Sequence, residues 1–160
     1  MQTEQDHKAI KPLMMVGPVG AGKSTLLRAL DLSEGEVRKT EAISYSEEAI
    51  DTPGEMISIP YFFNALILNS ARAGLVLFLM DAGRPSPSPS RLALAMKAPV
   101  LGVISKVDLA DEAGLAKARA ALQTAGAREI FEISSISGVG LKELKERIAA
   151  YSVAGSETEV

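Results

Sequence analysis

A chain of 160 residues, 47% apolar and 23% charged, is long enough for one domain with a substantial core and has globular rather than disordered composition. Its net charge of −3, pI near 5.3, lack of Trp and 4% aromatic content leave no broad basic face or base-stacking platform, which excludes nucleic acid as a partner. Cysteine is absent, which removes disulfides and thiolate metal sites and suits a reducing cytosol.

Met1 to His7 is polar and partly acidic, without the basic start and apolar centre of a signal peptide. The longest clean apolar run, Ala73 to Met80, falls far short of the roughly 20 residues that a membrane span needs. The expectation is a soluble cytoplasmic protein without a membrane partner. Its domain runs over 10–151, between flexible ends at 1–9 and 152–160.

In chain order, strands are predicted at Pro12–Val16, Ile43–Tyr45, Glu48–Ile50, Leu75–Met80, Val100–Ile104 and Ile130–Ile133. Helical periodicity covers Thr25–Leu30, Tyr61–Ser70, Pro89–Met96, Glu112–Ala125 and Leu141–Tyr151. Alternation of the two predicts an α/β fold: a mostly parallel six-stranded sheet with helices on both faces. Only a few residues separate the second and third strands, so they should pair as an antiparallel hairpin at one edge. Gly83 to Ser90 is rich in Pro and Ser, and its prolines forbid regular pairing, so it reads as a surface connection.

Ligands of such sheets sit beyond the C-terminal strand ends, and Gly17, Asp51, Asp81, Ser105 and Ser134 all follow strand ends. Gly17-Pro18-Val19-Gly20-Ala21-Gly22-Lys23-Ser24 matches G-x-x-x-x-G-K-[ST] between a strand and a helix, the context that makes it a phosphate-binding loop. The glycines let backbone N–H groups converge on an anion, and the helix that opens near Thr25 adds positive potential behind it. Lys23 would reach the β- and γ-phosphates and the Ser24 hydroxyl would bind Mg²⁺.

Asp51-Thr52-Pro53-Gly54 follows the third strand. There an aspartate can hold a Mg²⁺-bound water, and the Gly54 N–H can turn toward a γ-phosphate. Ser105-Lys106-Val107-Asp108 follows the fifth strand. The Asp108 carboxylate would accept guanine N1–H and N2–H₂, donors that adenine lacks, while the Lys106 stem covers one face of the base. Two such charged hydrogen bonds amount to about 10³-fold preference for guanine. Beyond the sixth strand, a hydroxyl and a backbone N–H from Ser134-Ser135 would meet the 6-oxo group, and Gly138 and Gly140 read as turn residues.

These four stretches in this order, within residues 10 to 150, resemble the small P-loop GTPases of the translation-factor and Era-like type. Further detail is similar to the narrower EutP/PduV family, named for ethanolamine- and propanediol-utilisation operons. It lies in Lys39–Ile43, Ile50–Glu55, Tyr61–Leu66, Pro99–Leu109 and Ala125-Gly126-Ala127. The resemblance implies a bacterial cytoplasmic protein that takes GTP or GDP with Mg²⁺ and associates with metabolic microcompartments. Microcompartment proteins or an activating partner would be its protein partners. Thr40 is the matching candidate for the threonine that contacts Mg²⁺ and the γ-phosphate.

Departures from ordinary GTPases are equally informative. The stretch from Ser24 to Asp51 is short, leaving little room for a long mobile switch. Ser105 stands where Asn or Thr is usual, which should lose part of a tie between base and phosphate loop and leaves ATP open beside GTP. Glu55 stands where the related enzymes carry a water-orienting glutamine. Three readings of Glu55 stay open: a general base, a negative charge that repels the γ-phosphate, and an exposed glutamate at a helix start. The expected function is a slow Mg²⁺-dependent GTPase acting as a switch or assembly factor. The alternatives are an ATP-dependent acetate-kinase-like phosphotransferase and a non-catalytic nucleotide-bound module that docks on a microcompartment.

Overall fold

A computed structural model describes residues 12–30, 44–45, 49–57 and 59–157. Its strands are β1 (Leu13–Val16), β2 (Ser44–Tyr45), β3 (Ala49–Asp51), β4 (Leu75–Asp81), β5 (Val100–Ser105) and β6 (Glu129–Glu132). The helices are α1 (Lys23–Ala29), α2 (Phe63–Ser70), α3 (Leu92–Ala95), α4 (Glu112–Ala125) and α5 (Leu141–Glu157), with 3₁₀ turns at Gly54–Ile57, Pro60–Phe62 and Val107–Leu109. One sheet runs in the order β2-β3-β1-β4-β5-β6. Every neighbouring pair is parallel except β2 with β3, which is antiparallel at the edge.

Alternate side chains of each strand enter opposite layers, and both layers are apolar. On one face Met14, Val16, Val76, Phe78, Met80, Val100 and Ile104 pack with Leu66 of α2, Leu92 and Ala93 of α3, and Ala118 and Leu122 of α4. On the other, Leu13, Met15, Leu75, Leu77, Leu79, Leu101 and Val103 meet Leu26 and Leu27 of α1 and Leu144 of α5. This is why β4 reads as an unbroken apolar run in the sequence: all of Leu75–Asp81 is buried. Gly102 interrupts β5 because a Cβ there would lie 3.1 Å from both Ile130 Cγ1 and Leu122 Cδ1, so its absence lets α4 and β6 close in.

The register sets the site. Met15 lies beside Asp51 on one side and Leu77 on the other, and Asp81 lies beside Ser105, so the C-terminal ends of β1, β3, β4 and β5 share one edge of the sheet. At the far edge, Arg147 of α5 holds Glu129 of β6 in a two-point ion pair, with Nε donating at 2.8 Å, and its guanidinium lies 4.9 Å from the centre of the Tyr151 ring. The Arg147 hydrogen bond lowers the Glu129 pKa below the usual carboxylate range.

Element boundaries differ from expectation where local chemistry intervenes. The periodicity over Pro89–Met96 yields only the turn of α3, because Arg91 before it adopts a left-handed backbone (φ 61°). The predicted Tyr61–Ser70 helix begins instead as a 3₁₀ turn at Pro60 and becomes α-helical at Phe63. Helix α1 starts at Lys23 and α5 continues past Tyr151 to Glu157. Ile43 and Glu48, the expected first residues of the hairpin strands, lie outside the described residues, as does Thr40.

Leu122, fully buried between α4 and β5, tests the packing. Leu122→Ala should cost about 2–5 kcal/mol of unfolding free energy, read from urea denaturation, because the rigid strands cannot collapse into the void.

Candidate nucleotide-binding site

The loop after β1 is wound by two glycines in the left-handed region, Gly20 at φ 80° and Gly22 at φ 90°, conformations that L side chains resist. The turn is closed by Ala21 N–H donating to Pro18 O at 3.1 Å, and Gly22 O starts α1 by accepting from Leu26 N–H at 2.8 Å. Gly17 is required for a different reason. A Cβ there would stand 2.6 Å from the Leu79 carbonyl oxygen of β4. Lys23 is 8% exposed, and its ammonium donates to Gly17 O at 2.8 Å and Pro18 O at 3.0 Å. The cation is thus anchored inside the loop that Pro18, Val19, Gly20 and Ala21 form, while Ser24 and Thr25 occupy the first turn of the helix.

Two adjacent side chains at the end of β5 fasten this loop to the sheet. Ser105, 4% exposed, directs its hydroxyl at Ala21 O (2.6 Å) with Met80 O 3.3 Å away. The tie expected to weaken with serine in place of Asn or Thr therefore keeps its phosphate-loop end: the short side chain reaches because Ala21 is buried directly against it. Lys106 follows in a left-handed conformation (φ 58°, ψ 37°), and its ammonium donates to Gly20 O at 2.6 Å and to Asp81 Oδ2 at 3.1 Å. Its aliphatic stem consequently spans the gap between β5 and the phosphate loop, the position in which it would flank a base.

Asp108 lies in the exposed 3₁₀ turn Val107–Leu109, and its carboxylate has no hydrogen bond or ion pair among the described residues. The turn is pinned behind it by Val107 N–H donating to Ile133 O at 3.2 Å. Ser134 is fully buried. Its Oγ accepts from Ser137 N–H at 3.1 Å and its own N–H donates to Val139 O, so it closes the loop after β6. Ser135 beside it is half-buried. Gly138 (φ 85°) and Gly140 (φ 73°) take the backbone through that turn.

Beyond β3, Thr52 is 1% exposed and donates through Oγ1 to Met15 O at 2.8 Å. Gly54 packs so tightly that a Cβ would collide with the backbone of Val19. The segment meant to sense a γ-phosphate is therefore stacked on the phosphate loop itself. Asp51 ends β3 beside Met15, while its side chain and that of Glu55 lie outside what is described, as does Thr40. A hydroxyl on α1 (Ser24) and a carboxylate-bearing residue at the adjacent strand end (Asp51) suit Mg²⁺, which accepts few protein oxygens when phosphate and water complete its shell. No group of three or more His, Cys, Asp or Glu able to hold a metal occurs among the described residues.

Sequence reasoning missed two contributors. Thr52 was hidden because a threonine in an Asp-Thr-Pro-Gly turn carries no signal of what lies across the sheet. Asp81 was visible at a strand end but had no assigned partner, since Lys106 joins it only through the β4–β5 register.

Sheet order and the glycine loop together give the chain a P-loop, GTPase-like α/β fold. Translation elongation factor SelB from Methanococcus maripaludis, solved with the GTP analogue GppNHp, shares the fold with a TM-score of 0.64 and 21% identity. The similarity covers 88% of this chain and 33% of SelB. A family model described as ethanolamine utilisation – propanediol utilisation matches residues 10–150, and the chain belongs to that PduV–EutP family. It is 30% identical to propanediol utilization protein PduV of Citrobacter freundii over 136 residues, covering 84% of this chain and 91% of PduV. It is 35% identical over 147 residues to a Salmonella typhimurium protein named "Probable acetate kinase EutP", covering 89% and 92% of the two chains. No helix among the described residues is long and apolar enough to cross a membrane.

Lys23→Ala should weaken nucleoside-triphosphate binding by at least about 10²-fold (~2.8 kcal/mol) in a chain that keeps its circular dichroism spectrum. Unchanged triphosphate affinity in the folded variant would remove this loop from the site.

Proposed function

We propose that the protein binds guanine nucleotide with Mg²⁺ and hydrolyses GTP slowly, serving as a switch or assembly factor in ethanolamine or propanediol metabolism. The observation that carries this reading is the arrangement after β5. Ser105 and Lys106 clamp the phosphate loop, and one turn further Asp108 presents a carboxylate with no partner among the described residues. That spacing gives a nucleotide phosphates at one end and a pair-accepting carboxylate at the other. The family description and the fold shared with a GTP-analogue-bound factor support the same reading.

In this proposal the loop N–H groups and the Lys23 ammonium hold the phosphates, with Lys23 moving from the Gly17 and Pro18 carbonyls to phosphate oxygens as they arrive. Ser24 and Asp51, with Thr40, would hold Mg²⁺, which supplies charge neutralisation at the transferring phosphoryl group. The Gly54 N–H orients toward the γ-phosphate once it leaves Val19. Asp108 accepts the guanine N1–H and N2–H₂, and Ser135 completes the far side of the base, with the buried Ser134 closing the loop behind it. Glu55 takes no proton here: it places negative charge near the phosphoryl group and slows the reaction. In cells the reading puts the protein in the cytoplasm beside a microcompartment.

Calorimetric titration with GDP, GTP, ADP and ATP, with and without Mg²⁺, tests the proposal, with guanine nucleotides expected to bind about 10³-fold tighter. The name carried by the Salmonella typhimurium relative supports a second reading, ATP-dependent phosphoryl transfer to acetate. A preference for ATP and acetate-dependent turnover would establish that alternative. Nucleotide binding with no turnover at all would leave a docking module.

Asp108→Asn should shift preference from guanine toward xanthine nucleotides, because xanthine offers an acceptor at C2 to the new amide donor. An unchanged GTP/XTP affinity ratio would show that Asp108 does not touch the base.

GTP turnover without a partner should be about 10⁻⁴ to 10⁻² s⁻¹ by single-turnover phosphate release, the range of GTPases that lack external help. Glu55→Gln should match or exceed that rate. A loss of roughly 10²–10⁴-fold would instead make Glu55 a general base.

A further inference from the structure

Asp81 is the last residue of β4, with its side chain 11% exposed, and both carboxylate oxygens are engaged. Oδ1 accepts from Gly83 N–H at 2.7 Å, which fixes the turn out of the strand. Oδ2 takes the Lys106 ammonium at 3.1 Å, and the same ammonium donates to Gly20 O at 2.6 Å. One cation thus joins the ends of β4 and β5 to the left-handed glycine of the phosphate loop. Lys106 needs such restraint. Its backbone sits at φ 58°, unfavourable for a side chain with a Cβ, and a free lysine stem has many rotamers.

We infer that Asp81 is a positioning residue for nucleotide binding: it holds Lys106 across the site, so that the base loop and the phosphate loop are set at one spacing before a ligand arrives. The inference rests on reading this edge as a nucleotide site. Asp81 itself touches no ligand. Its effect passes through Lys106, and removing its charge releases the ammonium toward solvent, where the side chain is already 38% exposed.

The discriminating experiment is a double-mutant cycle on the dissociation constant of GDP in Mg²⁺, measured by calorimetry on the full chain. Asp81→Asn keeps an acceptor for Gly83 N–H but loses the charge, and Asp81→Ser provides a second neutral variant whose hydroxyl can serve the same turn. Either should raise the Kd about tenfold (~1.4 kcal/mol) with little change in thermal unfolding. In a Lys106→Met background the same substitutions should change Kd by less than about twofold, the scatter of independent sites. A residue that only shaped the turn would give the same factor in both backgrounds, and that result, or wild-type affinity in Asp81→Asn, overturns the positioning role. Failure of the wild-type chain to bind any of GDP, GTP, ADP or ATP would overturn the site reading together with this role.

Discussion

The hydrogen bond from Ser105 to the Ala21 carbonyl spans 84 positions of sequence, and the site depends on it. A glycine-rich loop is a poor receptor by itself, because the freedom that admits left-handed turns also permits many other shapes. Here the loop is restrained from three sides. Leu79 of β4 lies against Gly17, Lys23 is bonded inward to Gly17 and Pro18, and the end of β5 grips Gly20 and Ala21. Those grips work only because the parallel register brings β1, β4 and β5 to the same edge. A one-residue slip in β5 would move Ser105 to the opposite face of the sheet.

Much of this was legible without coordinates because parallel sheets buried on both faces leave a plain record. The unbroken run in β4, the motif from Gly17 to Ser24 and the alternation of strands with helices each follow from burial or from phosphate geometry. The sheet and its antiparallel edge accord with that reading. Long-range side-chain contacts left no comparable trace. Nothing local marks Thr52 as a bond to Met15, and the pairing of Asp81 with Lys106 depends on which strands are neighbours. Short helices were the least legible, as at α3, where Arg91 turns left-handed within an otherwise regular pattern.

The two apolar layers divide the labour of the domain. The layer of α1 and α5 supports the phosphate loop from below through Leu26 and Leu27, while the layer of α2, α3 and α4 lies under the segment that begins at Gly54. Between them Thr52 is bonded to β1, so any displacement of the Gly54 segment starts after that residue rather than within β3. The contact of Gly54 with Val19 gives such a displacement an obvious consequence, since moving the one uncovers the other. Movement of the Gly54 segment and exposure of the glycine loop are therefore one mechanical event in this architecture.

The order of strands in space also bears on how the chain comes into being. Synthesis delivers β1 and the glycine loop early, yet the residues that clamp that loop arrive only with β5, after the whole of β4 and α3. Sheets built from such distant pairings fold slowly, because loop-closure entropy must be met before the contacts that reward it exist. Until Ser105 and Lys106 have docked, a nascent chain carries the phosphate-binding sequence without its receptor shape. A ligand that binds only the finished arrangement would stabilise the complete domain and no fragment of it, which on the proposed reading makes nucleotide a selective stabiliser of finished chains.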